Sequence, residues 1–175
     1  MSNQIYTRPA ANEYAAEFGK YVGLPPDRDI QSFLATQLDE LLGLLAGMSD
    51  AESLVRHAPY TWSIKQVIGH LIDCERIFGH RALRIARNDA TPLASFDENA
   101  YMQFADFDRW PTAELLAEFD HVRRSHLLFF RHLEPASWLR QGIVLNQPMT
   151  VRALAYVIAG HAKHHLDILH MRLNR

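Results

Sequence analysis

Apolar residues recur every three or four positions along four blocks of this chain, and breaks marked by proline or glycine separate the blocks. That period belongs to helices with one buried stripe, and it excludes a fold built on alternating strands. The first block runs from about Asp29 to Met48, carries Ile30, Phe33, Leu34, Leu38, Leu41, Leu42, Leu44 and Leu45, and ends at Gly47. Ser49-Asp50-Ala51-Glu52 reads as a capping box opening a short helix that stops before Pro59. Ser63-Ile64-Lys65-Gln66 is a second such box. The long helix it opens carries Ile64, Val67, Ile68, Leu71, Cys74, Ile77, Phe78, Leu83 and Ile85, and fades at Asn88-Asp89. Pro111 suits the first position of a third long helix, with Leu115, Leu116, Phe119, Val122, Leu127, Phe129, Phe130 and Leu133 before Pro135. Thr150 can cap the last helix, about 151–173.

The segment 88–110 reads as a long connection with room for a helical turn, and 135–149 as another loop. Gly142–Gln147 is the best strand candidate and too short to convince. Four amphipathic helices bury their stripes together most simply as a bundle, and the long connections permit crossover order. The expected fold class is therefore all-α, a four-helix bundle with long crossover connections. One domain spans residues 1–175, with about 1–25 as a peripheral arm or helix.

Charge narrows the partners. Eighteen Lys and Arg stand against twenty Asp and Glu, a formal net charge of −2, so no basic excess argues for nucleic acid. No run of about 18 apolar residues occurs, so nothing is expected to span a bilayer. The start, MSNQIYTRPAANEY, lacks the basic-then-apolar pattern of a signal peptide, and Cys74 is the one cysteine. Both fit a cytoplasmic, reducing location.

Histidine is the unusual residue: there are ten, four of them between His161 and His170. At about 100° per residue, His161 and His165 lie about 40° apart, one turn from each other. Two imidazoles so placed can reach one metal ion. Leu154, Val157, Ile158 and Ile168 share that side of the helix, so the pair projects into the bundle, where it needs a partner. His164 lies at about −60° from His161, and periodicity alone leaves it an alternative to His165. Ala162 stands where a zinc protease would have glutamate. A third ligand is needed, and His70, at the border of the second long stripe, is the best candidate. Gly69 and Gly160 precede two of these histidines, and each costs about 1 kcal/mol against alanine inside a helix, so a close approach of backbone or ligand is the expected compensation.

Other plans fit less well. A di-iron bundle needs two Glu-x-x-His pairs, and only Glu118-x-x-His121 is present. A structural zinc site would be rich in cysteine. No Gly-x-Ser-x-Gly elbow supports a serine hydrolase. Cys74 fills an apolar position and reads as core, with a soft fourth ligand as the alternative. His57, His80, His121, His126, His132 and His170 show no such metal-type pairing and read as surface or rim residues.

The stretch from Tyr60 to Leu83 (YTWSIKQVIGHLIDCERIFGHRAL), then Phe96-Asp97-Glu98, then Thr150 to His165 (TVRALAYVIAGHAKHH) resemble the DinB-like superfamily, with its DinB and YfiT-type metalloenzymes. The resemblance covers about residues 12–173. It implies a four-helix bundle of unusual crossover topology, a homodimer, and one divalent metal ion, nickel or zinc, on His70, His161 and His165. His164 then becomes a pocket residue. Relatives include transferases that attach a low-molecular-weight thiol to electrophiles, and metal-dependent hydrolases.

The expected function is a mononuclear metal-dependent enzyme that activates a thiol or water against a small-molecule substrate, as a thiol S-transferase or hydrolase. A non-catalytic metal or small-molecule binding protein of stress response is the alternative. Arg81 shares a helical face with His70 and is a candidate anchor for an anionic substrate, against a plain reading as a salt-bridged surface arginine. Asp97 and Glu98 are candidates to close over the metal, against an exposed acidic loop.

Overall fold

Caps set the helix boundaries where the side chains permit them. The computed structural model describes residues 7–174, so residues 1–6 of the expected N-terminal arm lie outside the described residues. Single turns at Ala11–Glu13 and Ala16–Phe18 lead into α1 (Gly19–Val22). Asp29 caps α2 (Ile30–Leu45) by accepting from the Ser32 amide at 3.0 Å, and Gly47 turns the chain out at φ 72°. Ser49 and Glu52 close the first box over α3 (Asp50–Ser53). Ser63 and Gln66 close the second over α4 (Ile64–Ala86). Asp97 caps α5 (Glu98–Phe104), a turn at Phe107–Arg109 follows, and Pro111 precedes α6 (Thr112–Arg131). Then come α7 (Pro135–Trp138), strands β1 (Gln141–Val144) and β2 (Gln147–Thr150), and α8 (Val151–Leu173), which Thr150 caps from its hydroxyl.

The long helices form a ring in the order α2, α6, α4, α8 and back to α2. Chain neighbours α2 and α4 therefore sit on a diagonal, as do α6 and α8. The connections 46–63 and 132–150 cross the bundle, while 87–111 joins adjacent helices. This is the four-helix bundle with crossover connections that the stripes and long loops predict. No helix among the described residues is long and apolar enough to cross a membrane.

The core divides into two apolar clusters. One holds Phe18, Phe78, Phe130, Trp138 and Leu154; the other holds Leu38, Leu41, Ile68, Leu71, Phe119 and Leu166. Between them lies a buried polar layer that touches all four long helices. Arg123 donates to Glu75, to the Leu34 carbonyl and to Gln37, and Gln37 donates to the Ala159 carbonyl. His126, expected at the surface or rim, is drawn into this layer through Nδ1, 2.8 Å from Glu75 Oε2. The difference follows from packing: His126 faces Gly79, where the missing side chain makes room for the ring.

The loop 135–149 also differs from expectation. It holds α7 and an antiparallel hairpin that turns at Leu145-Asn146, both left-handed, with φ of 53° and 59°. The strand candidate 142–147 thus straddled the turn; Leu145 is not a residue that announces positive φ. Val144 pairs in parallel with Leu93, through amide-to-carbonyl bonds at 2.9 and 3.1 Å. That pairing fixes the start of the long connection beside α4.

Candidate metal centre

His161 is presented by α8 and His70 by α4, the most extensively packed pair of helices. Both are buried, and His165, one turn beyond His161, is half-buried. One ring nitrogen from each of the three lies within 4.8 Å of the others. The Nε2 atoms of His70 and His161 stand 3.0 Å apart. Ring centroids are separated by 4.9 Å (His70–His161), 4.9 Å (His70–His165) and 4.7 Å (His161–His165). His164 is exposed, and its ring leans on Tyr21 and on His165.

Burial dominates the electrostatics. It pulls His70 down to about 4, against a small opposing pull from Glu98, and His165 down to about 3. His161 lies well below its usual value for the same reason, reinforced by His165 and His70. All three rings are neutral at pH 7, the state in which imidazole nitrogen has a lone pair to give.

The donor set fits a divalent metal ion. Zinc–imidazole bonds of about 2.0–2.1 Å place two nitrogens on one ion about 3.0–3.4 Å apart, the range of the His70–His161 spacing.

Two glycines permit this assembly. A Cβ at position 160 would meet the Tyr21 carbonyl oxygen at 1.9 Å, and one at position 69 would meet the Phe107 ring at 2.3 Å. The absent side chains let α1 and the 107–109 turn close on the histidine helices, as the glycines beside His70 and His161 predict. Tyr21 then packs edge-on against His161 at 5.3 Å, and Trp62 tilts over His70 at 5.0 Å.

The cluster opens into a cavity of about 350 Å³ that Phe18, Tyr21, Trp62, Phe78, Phe96 and Leu145 line with apolar surface. Glu17, Lys20, Arg81 and Glu98 supply its charges. Cys74 borders it as well, with Sγ 3.7 Å from both ring nitrogens of His70. Glu98 reaches the cavity from the first turn of α5, while Asp97 spends its carboxylate on the α5 cap. Arg81 is 3% exposed and makes no salt bridge among the described residues, so its reading as a surface ion-pair residue fails. Tyr21, Lys20 and Leu145 had no periodic signal in the sequence: they come from short elements whose position only the folded chain defines.

The sequence matches the model of the DinB superfamily over residues 34–169. No curated protein matches it significantly. Among solved structures it is similar to YfiT from Bacillus subtilis, described as a probable metal-dependent hydrolase with an unusual four-helix bundle topology. That likeness has a TM-score of 0.74 over 99% of each chain, at 16% identity. It is also similar to a mycothiol-dependent maleylpyruvate isomerase, with a TM-score of 0.68 at 10% identity over 80% of this chain and 59% of that one. At these identities the likeness is one of fold.

Proposed function

This chain belongs to the DinB superfamily, and we propose on that premise that His70, His161 and His165 hold one divalent metal ion in an enzyme acting on small molecules. The observation that carries this reading is three neutral imidazoles whose nitrogens lie within 4.8 Å of one another and border a cavity of mixed apolar and charged lining. Imidazole donors suit nickel and zinc alike. The reaction is attack by an activated thiol or water on an electrophilic carbon, which makes the protein a thiol S-transferase or hydrolase.

A divalent ion held by three neutral ligands keeps its full charge and lowers the pKa of a bound water or thiol toward neutrality. The protein's own part is separable from that chemistry. Burial keeps the three rings unprotonated. Tyr21 and Trp62 hold His161 and His70 in orientation and keep bulk water off them. Glu98, at the exposed rim, is placed to take a proton from an incoming nucleophile. The working form we propose is a homodimer; sedimentation giving a single 20 kDa species at micromolar concentration refutes that part.

Metal analysis tests the reading. Wild-type protein purified without a nickel column should carry about one divalent ion per chain, and His70→Ala and His165→Ala should carry little. Metal-free wild type, or equal loading in the variants, overturns it. Loaded protein that turns over neither thiol-plus-electrophile pairs nor esters and amides would leave binding in place and remove catalysis.

A further inference from the structure

Arg81 is a buried cation on α4 with no carboxylate partner among the described residues. The other arginines of α4 have carboxylates: Arg76 pairs with Glu118 and Arg84 with Asp89. Fully buried Arg123 has Glu75. Arg81 is 3% exposed, and its one recorded hydrogen bond runs from Nη2 to the Ala94 carbonyl at 2.7 Å. A guanidinium has five N–H donors. The rest are not sealed in protein: among the described residues, the buried side-chain atoms without a partner are His57 Nδ1 and Arg172 Nε. The free donors therefore face cavity space.

Arg81 borders the histidine pocket and also a second cavity lined by His80, Ala94 and Tyr101. His70, Cys74, Phe78 and Arg81 all line the histidine pocket, spaced four, four and three residues along α4. Eleven residues return to nearly the same helix face, within about 20°, after a rise of about 16 Å. Side chains on a helix lean toward its N-terminus, so Arg81 leans toward His70. Phe78 lies between the two ends: its ring centroid is 5.7 Å from that of His161 and 5.8 Å from the Arg81 guanidinium carbon. Phe96 packs at 5.7 Å from the same carbon, so two aromatic rings steady the guanidinium.

We propose that Arg81 is the carboxylate-binding residue of this pocket, and that the pocket takes small organic carboxylates with an apolar body. The carboxylate meets Arg81, the body lies along Phe78 and Phe96, and the reacting end reaches the three histidines. One guanidinium matches one planar, delocalised negative charge in a two-pronged hydrogen bond. The pocket's other cation, Lys20, sits at the histidine end against the Tyr21 ring, and neither Glu17 nor Glu98 forms an ion pair with Arg81. Only the placing of the reacting end rests on the metal reading; the carboxylate site does not.

Binding to metal-free protein tests the proposal. The probes are 4-phenylbutyrate and its neutral amide, titrated by calorimetry and by NMR at pH 7.5. Wild type should bind the carboxylate at least about tenfold tighter than the amide, with shifts at the Trp62 indole and the His161 ring. Arg81→Gln should drop the carboxylate to the affinity of the amide and leave the amide unchanged. Equal binding of the two probes to wild type overturns the proposal, as does no carboxylate binding at millimolar concentration. So do shifts confined to His80 and Tyr101, beyond the pocket, or an Arg81→Gln variant that keeps the preference. If that variant does not fold, the two probes on wild type still decide. His165→Ala should keep the carboxylate preference, so a failure of metal loading and a failure of carboxylate binding are read separately.

Discussion

Arg123 on α6 grips Glu75 on α4 with two hydrogen bonds, Nε to Oε2 at 3.1 Å and Nη2 to Oε1 at 2.5 Å, and no part of the guanidinium side chain reaches solvent. Arg123 holds the Glu75 carboxyl below its ordinary value although burial pushes it the other way. Removing Arg123 leaves the buried Glu75 carboxylate with only the His126 ring beside it. Arg123→Met should therefore cost about 3–5 kcal/mol, read as the shift in urea-unfolding free energy. Replacing both, as Glu75→Leu with Arg123→Met, should cost less than the single change. A double variant that loses as much as the sum of the two singles would show that the pair does not act as a unit.

Gly160→Ala should cost about 1–3 kcal/mol and loosen the pocket. The new Cβ would stand 1.9 Å from the Tyr21 carbonyl oxygen, and backbone cannot swing aside as a side chain can, so α1 must shift and draw the Tyr21 ring off His161. Gly69→Ala meets only the Phe107 ring, a side chain that can turn, and should cost less. Urea unfolding of both variants checks the order.

These two glycines also show how far the sequence could be read. Their helical positions beside His70 and His161 signalled a close approach, and helix rotation put the histidines on inward faces, because both facts are local to one helix. The four bundle helices and three of their caps were legible for the same reason. Arg81 was not: rotation placed it near the face of His70, but whether a carboxylate from another segment meets it is settled only in three dimensions. His126 was misread likewise, because its partner Glu75 lies on a different helix. The hairpin escaped because Leu145 adopts a left-handed conformation and Pro148 interrupts the second strand pattern.

Cys74 should behave as a core thiol. Burial pushes its pKa up, and the carboxylates of Asp73, Glu98 and Glu75 add to that. The thiolate is the reactive and metal-binding form, so iodoacetamide should label Cys74 in the folded, metal-free protein about a hundredfold or more slower than in urea. Cys74→Ala should keep its metal. Loss of metal in that variant would instead make the thiol a ligand.

Acid should destabilise the metal-free protein through its buried histidines. The folded-state pKa of His70 is about 4 against 6.5 when exposed, so between those values the unfolded chain binds a proton that the folded chain refuses. Stability then rises with pH across that window and is lost as pH falls from 6.5 toward 4. His70 alone accounts for about 3 kcal/mol, and His161 and His165 act with the same sign. Urea midpoints at pH 7.5, 6 and 5 should fall in that order, and His70→Gln should flatten the decline. A midpoint independent of pH over this range would mean the rings are not held neutral by burial.

The same shifts predict how the centre takes its metal. Three ordinary histidines of pKa about 6.5 would together release about two protons on binding an ion at pH 6. Here His70 and His165, at about 4 and about 3, are already unprotonated at that pH, and His161 is driven down in the same direction. Calorimetric titration of zinc at pH 6, in buffers of different ionisation enthalpy, should therefore show almost no buffer dependence of the heat. Affinity should stay flat from pH 7 to about 5 and fall only as pH approaches 4. Release of about two protons at pH 6 would place the rings in contact with water, and with that the pocket would lose the dryness on which activation of a bound nucleophile depends.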